Sequence, residues 1–464
     1  MPAISLHDFE RDALDTLNEF ASIPCLSPMF DAHWAEHGHL DAAVDLLATW
    51  ARARTLHSFN VTIHRLEGRT PLLLVSVDAT APGDGTAVLY GHLDKQPPLG
   101  DWSDGLDPFT PVRRGDRVYA RGIADDGYST FSALLALEAM EAAGIPHRRC
   151  VVLIEASEES GSPDLEAYLD LLANELGQVE LMICLDSGAL TYDRLWITTS
   201  LRGLLNVELN VAVLERAQHS GSASGVVPSS FRVLRQLLER LEDSSTGDVL
   251  VEAMAAVVPD DHVRAAHDVA NEFGDVIARD LPVLAGVQYM GTSPADRIIR
   301  RNWSPTLSVI GMGGIPEPEI AGNVLRTDTT AVLSFRLPPS VDAQAASDAV
   351  TELLTSDVPS AAVVTVATHF ADGWVAPPTA PWLEAALHTA SLDAFGTPPA
   401  FCGEGGSIPF LASLGRRYPG VQFVATGVLG PESNAHGIDE MLDLAMAVGV
   451  TNAVVSVLGA HGAL

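Results

Sequence analysis

The first part of the chain alternates between apolar residues at helical spacing and short, continuous apolar runs. Residues 6–22 and 36–54 have the helical spacing, as does YSTFSALLALEAMEAAG, which Gly144 is expected to end. The runs that read as strands are PLLLVSV (71–77), TAVLYG (86–91), CVVLIEA (150–156) and LMICLD (181–186). Such alternation is typical of strands covered by helices, so we predict an α/β domain with a mostly parallel sheet.

After about residue 200 the order of elements changes. Six segments with strand or helix patterns now follow one another, namely RGLLNVELNVAVL, VPSSFRVLRQLLERLE, TLSVIGMG, TTAVLSFRL, AQAASDAVTELL and AAVVTVATHF. Their β-α-β-β-α-β order predicts a split ferredoxin-like α+β module, with an insertion from about 244 to 304. From about residue 374 the first pattern returns. We therefore expect a main domain in two parts, 1–200 and 374–464, with a smaller domain, 201–373, inserted in it.

Charge and targeting patterns narrow the possible partners. The 464 residues include 27 Lys and Arg against 60 Asp and Glu, a formal net charge of −33, so nucleic acid is not expected as a partner. The N-terminus lacks a secretory pattern, and the apolar DLAMAVGVTNAVVSVLGA is expected to be a buried helix rather than a membrane span. The four cysteines are scattered, which argues against disulfides and thiolate zinc sites. We expect a cytoplasmic protein.

Acidic and imidazole side chains follow the predicted strands where each strand ends. The H-L-D motif at 92–94 follows one strand, the pair Glu158-Glu159 follows another, and Asp186 closes LMICLD. Ligands of open α/β sheets bind beyond the carboxyl ends of the strands, so these side chains are expected to converge. Each motif alone is more often a solvated turn or a helix cap, and only their joint occurrence favours a site.

Two further motifs complete a set suited to metal ions. Asp125-Asp126 precedes a helix in RGIADDG, and His436 lies in SNAHGIDE. Carboxylates can bridge two divalent cations and imidazoles can complete their coordination. Two cations about 4 Å apart polarise a carbonyl and lower the pKa of a shared water. These residues predict a two-metal hydrolase.

Not every acid in this set is expected to bind metal. In the H-x-D motif, Asp94 can accept the ring N–H of His92 and fix its tautomer. In the adjacent pair, one glutamate can bind metal while the other takes a proton from water. We predict that Glu158 is the general base and Glu159 a ligand.

The chain resembles the carnosinase-like dinuclear zinc exopeptidases, whose clan includes aminoacylases, acetylornithine deacetylase and glutamate carboxypeptidases. The matching stretches are YGHLDKQP, YARGIADDG, EASEESGS, CLDSGA, AQHSGSASG, LSFRLPP, GEGGSIPF and SNAHGIDE. They run in the family order from about residue 90 to 440. The resemblance implies a zinc-exopeptidase-like catalytic domain carrying a ferredoxin-like lid or dimerisation domain, and a homodimer.

The resemblance also implies the ligands of two divalent ions. They are His92, Asp125 and Asp186 for one ion, and Asp125, Glu159 and His436 for the other. Asp125 then bridges, and its peptide bond with Asp126 is expected to be cis. Zinc is the expected metal, although Mn and Co also suit such ligands.

On the substrate side, the resemblance implies three elements. His219 would reach across a dimer to the scissile carbonyl bound by the partner subunit and stabilise the oxyanion. Arg336 would bind the substrate carboxylate in bidentate fashion. The turn Gly405-Gly406-Ser407 would offer backbone N–H groups and a hydroxyl to the same anion.

Within this clan, Asp186 and the long insertion resemble the dipeptidase branch. The predicted function is therefore cleavage of dipeptides or short peptides with a free C-terminal carboxylate. Two alternatives are an amidohydrolase of N-acyl or N-carbamoyl amino acids and a non-catalytic binding relative. Gly127 and Gly403 stand where the family frequently has Lys and Arg, which leaves the substrate preference open.

Overall fold

The computed structural model describes residues 4–279, 281–406 and 409–464. The strands are β1 (Phe59–His64), β2 (Leu72–Val77), β3 (Gly85–His92), β4 (Val112–Arg114), β5 (Arg117–Tyr119), β6 (Arg149–Glu155), β7 (Gln178–Cys184), β8 (Trp196–Leu201), β9 (Gly203–Ala212), β10 (Gln218–His219), β11 (Thr306–Gly313), β12 (Val324–Leu325), β13 (Asp328–Leu337), β14 (Val363–Ala371), β15 (Trp374–Val375), β16 (Ala400–Glu404), β17 (Gln422–Ala425) and β18 (Met441–Asp443).

The α-helices cover most of the predicted helical segments. They are α1 (Leu6–Phe9), α2 (Asp15–Ala21), α3 (Trp34–His37), α4 (His39–Arg52), α5 (Ser129–Ala142), α6 (Leu165–Leu171), α7 (Ala173–Leu176), α8 (Ser220–Ala223), α9 (Ser230–Leu238), α10 (Asp260–Phe273), α11 (Val276–Arg279), α12 (Pro294–Trp303), α13 (Ala343–Thr355), α14 (Pro381–Phe395), α15 (Pro409–Arg417) and α16 (Leu444–Gly462). Gly144, with φ 67°, follows α5 as expected, because glycine adopts this left-handed conformation without a steric cost.

The first of two units comprises Met1–Thr199, Ala376–Cys402 and Ser413–Leu464. It contains a sheet of order β1-β2-β6-β3-β7-β17. The pairs β6/β3, β3/β7 and β7/β17 are parallel, which confirms a central α/β sheet. Every residue of β3 is buried, as in a parallel sheet covered on both faces. The run 71–77 is an exception to the parallel pattern, because β2 pairs antiparallel with both β1 and β6.

The long apolar helix α16 packs against α5 and α14 in this unit. By length and composition it could cross a membrane, with a mean hydropathy of 1.6 in its most apolar window, but 78% of that window is buried inside the protein. A buried core helix passes the same test as a membrane span, and the burial agrees with the sequence-based expectation.

The second unit comprises Ser200–Val375 and Gly403–Ala412. Its sheet has the order β11-β13-β9-β14, with antiparallel pairing throughout. Buried and partly exposed residues alternate along β13, because only one face of this sheet packs on a core that includes residues of α9 and α13. The chain order β9-α9-β11-β13-α13-β14 is the split ferredoxin-like order. The sequence-based prediction for the inserted domain, 201–373, does not include the segment Gly403–Ala412 of this unit.

Candidate functional site

Three neighbouring strands of the first unit deliver acidic and imidazole side chains to one edge of the sheet. Strands β6, β3 and β7 lie side by side and run parallel, so their carboxyl ends meet. His92 is the last residue of β3, Glu158 and Glu159 lie in a short turn after β6, and Asp186 follows β7 by two residues. The expected convergence at the strand ends is therefore observed.

The carboxylate of Asp125 lies between two histidines. Its Oδ1 is 3.2 Å from His92 Nε2, and its Oδ2 is 3.0 Å from His436 Nε2. Each histidine also lies near a second carboxylate. His92 Nε2 is 3.8 Å from Asp186 Oδ2, and His436 Nε2 is 3.3 Å from Glu159 Oε2. The peptide bond between Asp125 and Asp126 is cis. The structure thus brings together all five side chains that the resemblance implies as ligands.

These residues form donor sets that fit divalent cations. Ligand atoms lie within 4.8 Å of one another in the group of His92, Asp125 and Glu159 and in the group of His92, Glu158 and Asp186. Carboxylate oxygens and imidazole nitrogens are the ligands that zinc and similar ions take in hydrolases. Both groups are largely buried, and carboxylates so close together need a compensating positive charge.

The hydrogen bonds of His92 orient its ring for such a role. Its Nδ1 lies 3.0 Å from the main-chain oxygen of Asp94, which can only accept a hydrogen bond. A proton therefore resides on Nδ1, and Nε2, which faces Asp125 and Asp186, would offer its lone pair to a bound cation in place of a proton.

The Asp94 side chain has a different set of partners from the one predicted. Its Oδ1 is 3.5 Å from His92 Nδ1, which is longer than the bond from that nitrogen to the main-chain oxygen. Instead, Oδ1 accepts the backbone N–H of Glu158 at 3.1 Å, and Oδ2 accepts that of Glu159 at 3.0 Å. Asp94 therefore fixes the turn that carries the two glutamates, while its backbone orients the histidine.

Sequence reasoning did not identify Glu440, which is buried beneath the Asp125 loop. Its carboxylate accepts the backbone N–H groups of Gly122, Ala124 and Asp125 at 3.0 to 3.3 Å, and pairs with Arg121 Nη1 at 2.7 Å. The only sequence signal is an acid four residues after His436. Glu440 thereby fixes the backbone from which Asp125 projects.

Gln96 is another contact that sequence reasoning did not identify. Its Nε2 donates to Glu159 Oε2 at 2.7 Å. His436 Nε2 lies 3.3 Å from the same oxygen. A side chain from the loop after β3 therefore helps to position the Glu159 carboxylate, together with the turn that carries Glu159.

Burial and mutual repulsion shift the ionisation of this cluster. Burial, with repulsion from Asp125, raises the pKa of Glu159 to about 8, and burial with the charge of Asp186 raises the pKa of Glu158 well above its ordinary range. Burial opposes protonation of His436, but its contacts with Asp125 raise its pKa to about 9. Without metal ions, the raised pKa values favour protonated side chains in this cluster, and bound cations would displace those protons.

His219, in the second unit, lies on the short strand β10 and is exposed. Strand β10 pairs with β12, which places His219 opposite Val324. Its Nδ1 accepts the backbone N–H of Gly221 at 3.1 Å. This bond leaves Nε2 as the protonated nitrogen of a neutral ring, and thus as a donor to solvent or to a ligand.

The predicted anion-binding elements of the second unit lie in a cationic region. Arg202 donates through Nε to the Gly405 oxygen at 3.0 Å, and its backbone N–H donates to the Gly406 oxygen at 2.9 Å. Burial, followed by the positive charges of Arg336 and Arg301, lowers the pKa of Arg202 to about 10. Sequence reasoning identified Arg336 but not the other two arginines. The predicted Ser407 lies outside the described residues.

Packing explains both glycines at which the chain departs from the family pattern. A Cβ at Gly127 would lie 2.4 Å from the Gly122 carbonyl oxygen, and one at Gly403 would lie 2.3 Å from Ser200 Oγ. Arg301 Nη2 donates to the Gly403 oxygen at 2.9 Å. A guanidinium from α12 therefore bonds to the backbone at Gly403.

Comparisons with known proteins show which family and fold this chain resembles. A cysteinylglycine-S-conjugate dipeptidase of Corynebacterium striatum is 29% identical over 77% of this chain and 77% of its own length. A human Beta-Ala-His dipeptidase is 26% identical over 61% of this chain and 56% of its own. The solved structure of the dipeptidase Dug1p from Saccharomyces cerevisiae, 22% identical, superimposes with a TM-score of 0.78 over 99% of this chain and 97% of that one. The family model for peptidase family M20/M25/M40 matches residues 88–459, so the chain belongs to that family.

Proposed function

We propose that this protein is a metal-dependent dipeptidase that cleaves dipeptides, or short peptides with a free C-terminal carboxylate. The observation that carries this proposal is the position of Asp125, whose two carboxylate oxygens face His92 on one side and His436 on the other. A single carboxylate placed in this way suits a bridge between two cations. The named dipeptidases among the relatives support the same activity.

The proposed ligands divide into two sets that share Asp125. One set adds His92 and Asp186, and the other adds Glu159 and His436. Zinc is the proposed metal, with Mn and Co as alternatives that the same donors accept. When bound, the ions would polarise the scissile carbonyl and lower the pKa of the attacking water.

Glu158 is the proposed general base. Its backbone is held by Asp94, and its carboxylate lies among the ligand atoms of His92 and Asp186. From this position Glu158 can take the proton of the attacking water and later donate it to the leaving amine.

Arg336 and the Gly405–Gly406 turn are the proposed anchor for the substrate carboxylate. The three arginines of this region supply positive charge, and a guanidinium can bind a carboxylate through two parallel hydrogen bonds. A carboxylate anchor of this kind selects peptides by their free C-terminus.

The test compares dipeptides with matched N-acyl and N-carbamoyl amino acids, using protein that has been chelated and then resupplied with Zn or Mn. We expect metal-dependent release of amino acids from dipeptides only. Hydrolysis confined to the acylated compounds would establish the amidohydrolase alternative instead. A lack of turnover on all compounds by a fully metallated protein would indicate a non-catalytic binding relative.

We also propose that the protein is a homodimer formed through β11, with His219 serving the partner's substrate. Strand β11 is at one edge of its sheet, and Val309, Ile310 and Met312 on it are exposed. An exposed apolar edge strand readily pairs with a second chain. Residence in the cytosol stays a prediction from the sequence.

Sedimentation of charge variants tests this assembly. Ile310→Lys on β11 is expected to give monomers, because a buried lysine without a partner opposes association. Val363→Lys, on β14 at the opposite edge of the same sheet, is the control and is expected to leave the dimer intact. A monomeric wild-type protein with full activity would contradict the proposal.

A further inference from the structure

A buried carboxyl group, that of Glu155, directly precedes the turn that carries Glu158 and Glu159. Glu155 is the last residue of β6, and only 2% of it is exposed. Its Oε1 accepts a hydrogen bond from the Ser162 hydroxyl at 2.8 Å, and its Oε2 accepts one from the Ser157 hydroxyl at 3.2 Å. These two serines begin and end the turn. One carboxyl group therefore holds both ends of the segment that carries the proposed base.

The end of the turn, at Ser162, has a backbone conformation that needs such support. Ser162 has φ 54°, in the left-handed region, which costs free energy for a residue other than glycine. Its backbone N–H donates to the Ser157 oxygen at 3.0 Å and closes the turn. Residues in this conformation persist where the surrounding contacts hold them. The hydrogen bond from the Ser162 side chain to Glu155 is such a contact.

Tyr90 connects the same carboxyl group to the neighbouring strand. Its hydroxyl donates to Glu155 Oε1, and both residues are buried. Tyr90 lies on β3 two residues before His92, and His92 is opposite Glu155 in the parallel pairing of β3 with β6. Glu155 thus connects the strand that ends in a proposed metal ligand with the turn that carries the proposed base.

The energetics of burial make this arrangement cooperative. A buried carboxyl group is costly unless hydrogen bonds compensate for the lost water, and here the hydroxyls of Tyr90, Ser157 and Ser162 supply them. Two of the three donors belong to the turn itself. The turn must therefore stay closed on Glu155 for the carboxyl group to remain satisfied.

We propose that Glu155 is a positioning residue for peptide hydrolysis, and that it fixes the turn with Glu158 at the distance from His92 that the reaction requires. This inference rests on the proposed function. Glu155 acts through the turn rather than on the substrate. A catalytic group displaced by about 1 Å can lose roughly 10²-fold in rate, so loss of these hydrogen bonds is expected to lower kcat more than it changes KM.

The test removes one hydroxyl and keeps the aromatic ring. Tyr90→Phe is expected to lower kcat for dipeptides by about 10-fold and to change KM by less than about twofold. Tyr168→Phe is the matched control, because its buried hydroxyl bonds outside the turn, to the backbone of Leu66 and Thr70. Urea unfolding should show similar losses of stability in the two variants. Equal kcat values in the two variants would overturn the proposal.

Hydrogen exchange of the metal-free protein separates this inference from the proposed function. The backbone N–H groups of residues 158–162 are expected to exchange about 3- to 10-fold faster in Tyr90→Phe than in the wild type, because loss of one hydrogen bond makes local opening easier. Tyr168→Phe should leave their exchange unchanged. A wild type that cleaves no dipeptide refutes the proposed function, whereas unchanged exchange in Tyr90→Phe refutes the hold of Glu155 on the turn.

Two substitutions of Glu155 itself distinguish hydrogen bonding from charge. Glu155→Ala removes all three bonds and is expected to lower kcat by about 10²-fold. Glu155→Gln retains an oxygen that accepts from Tyr90 and Ser162, so its kcat should exceed that of Glu155→Ala by about 10-fold. A glutamine variant as slow as the alanine variant would contradict a role that depends on these hydrogen bonds.

Discussion

Glu440 and Arg121 form an ion pair of 2.7 Å in which both side chains are buried. Arg121 also donates to the main-chain oxygen of Gly437, next to His436. The same Glu440 carboxylate accepts the backbone N–H of Asp125. One buried pair therefore connects the loops that carry two of the proposed metal ligands.

Glu440→Gln should destabilise the fold. The substitution leaves the Arg121 guanidinium buried without its charge partner, and breaking a buried pair in this way costs about 3 to 5 kcal/mol. Urea unfolding of the chelated protein measures the loss. Glu432→Gln is the matched control, because it removes an exposed partner of Arg117 and should change the free energy of unfolding by less than about 1 kcal/mol. Equal losses in the two variants would contradict the structural role of Glu440.

Glu158→Gln should lower kcat for dipeptides by about 10² to 10⁴-fold, the usual contribution of a positioned base. The amide retains the shape of the side chain but cannot take a proton from water. Zinc content, measured in parallel, should stay at the wild-type level. Glu166→Gln, at an exposed position on α6, should keep wild-type turnover. A Glu158→Gln enzyme with unchanged kcat would remove Glu158 from the mechanism.

Replacement of Asp125 should remove more bound metal ions than replacement of His436. Asp125 is the proposed bridge, so Asp125→Asn should reduce bound zinc by about two ions per chain relative to the wild type. His436→Gln removes a ligand of one ion and should reduce bound zinc by about one. Metal analysis after gel filtration measures both. The bridging role fails if the two variants lose the same number of ions.

Arg301→Met should raise KM for dipeptides by about 10- to 100-fold, the effect of losing a hydrogen bond to a charged group, and change kcat less. Its guanidinium donates to the Gly403 oxygen, and its Cγ and Cδ atoms lie beside Gly405 of the proposed carboxylate anchor. Arg300→Met is the control from the same helix, where the side chain pairs with the exposed Asp248 instead. Equal KM values in both variants would show that position 301 does not act on the substrate.

His461 should make the fold sensitive to mild acid. Burial, with Arg148 nearby, lowers the pKa of His461, although its contact with Glu180 acts in the opposite direction. The unfolded chain then takes up a proton before the folded one, so this contribution to stability is complete above about pH 6.5 and is lost as the pH falls below it. Urea unfolding between pH 5.5 and 8 should show a steeper acid loss in the wild type than in His461→Gln. Parallel profiles would contradict this assignment.

The sequence alone predicted most elements of both units. Strands such as β11 and β13, and helices such as α5 and α13, match the predicted segments within a few residues. The reason is that a buried face produces a period of two in a strand and of 3.6 in a helix, and this signal is local in the chain. The order of acids and histidines after the strands was equally readable, and it led to the family that the comparisons confirm.

Only the tertiary structure decided which strands are neighbours and which distant side chains meet. The antiparallel direction of β2 depends on its pairing with β6 rather than on its own residues. Glu440 lies 315 positions from the Asp125 backbone that it holds, and Arg301 lies 102 positions from Gly403. No periodicity spans such distances, because these contacts exist only once the core has packed and the loops have been brought together. The sequence therefore determined the elements and the chemistry of the site, whereas the packing decided what holds each ligand in place.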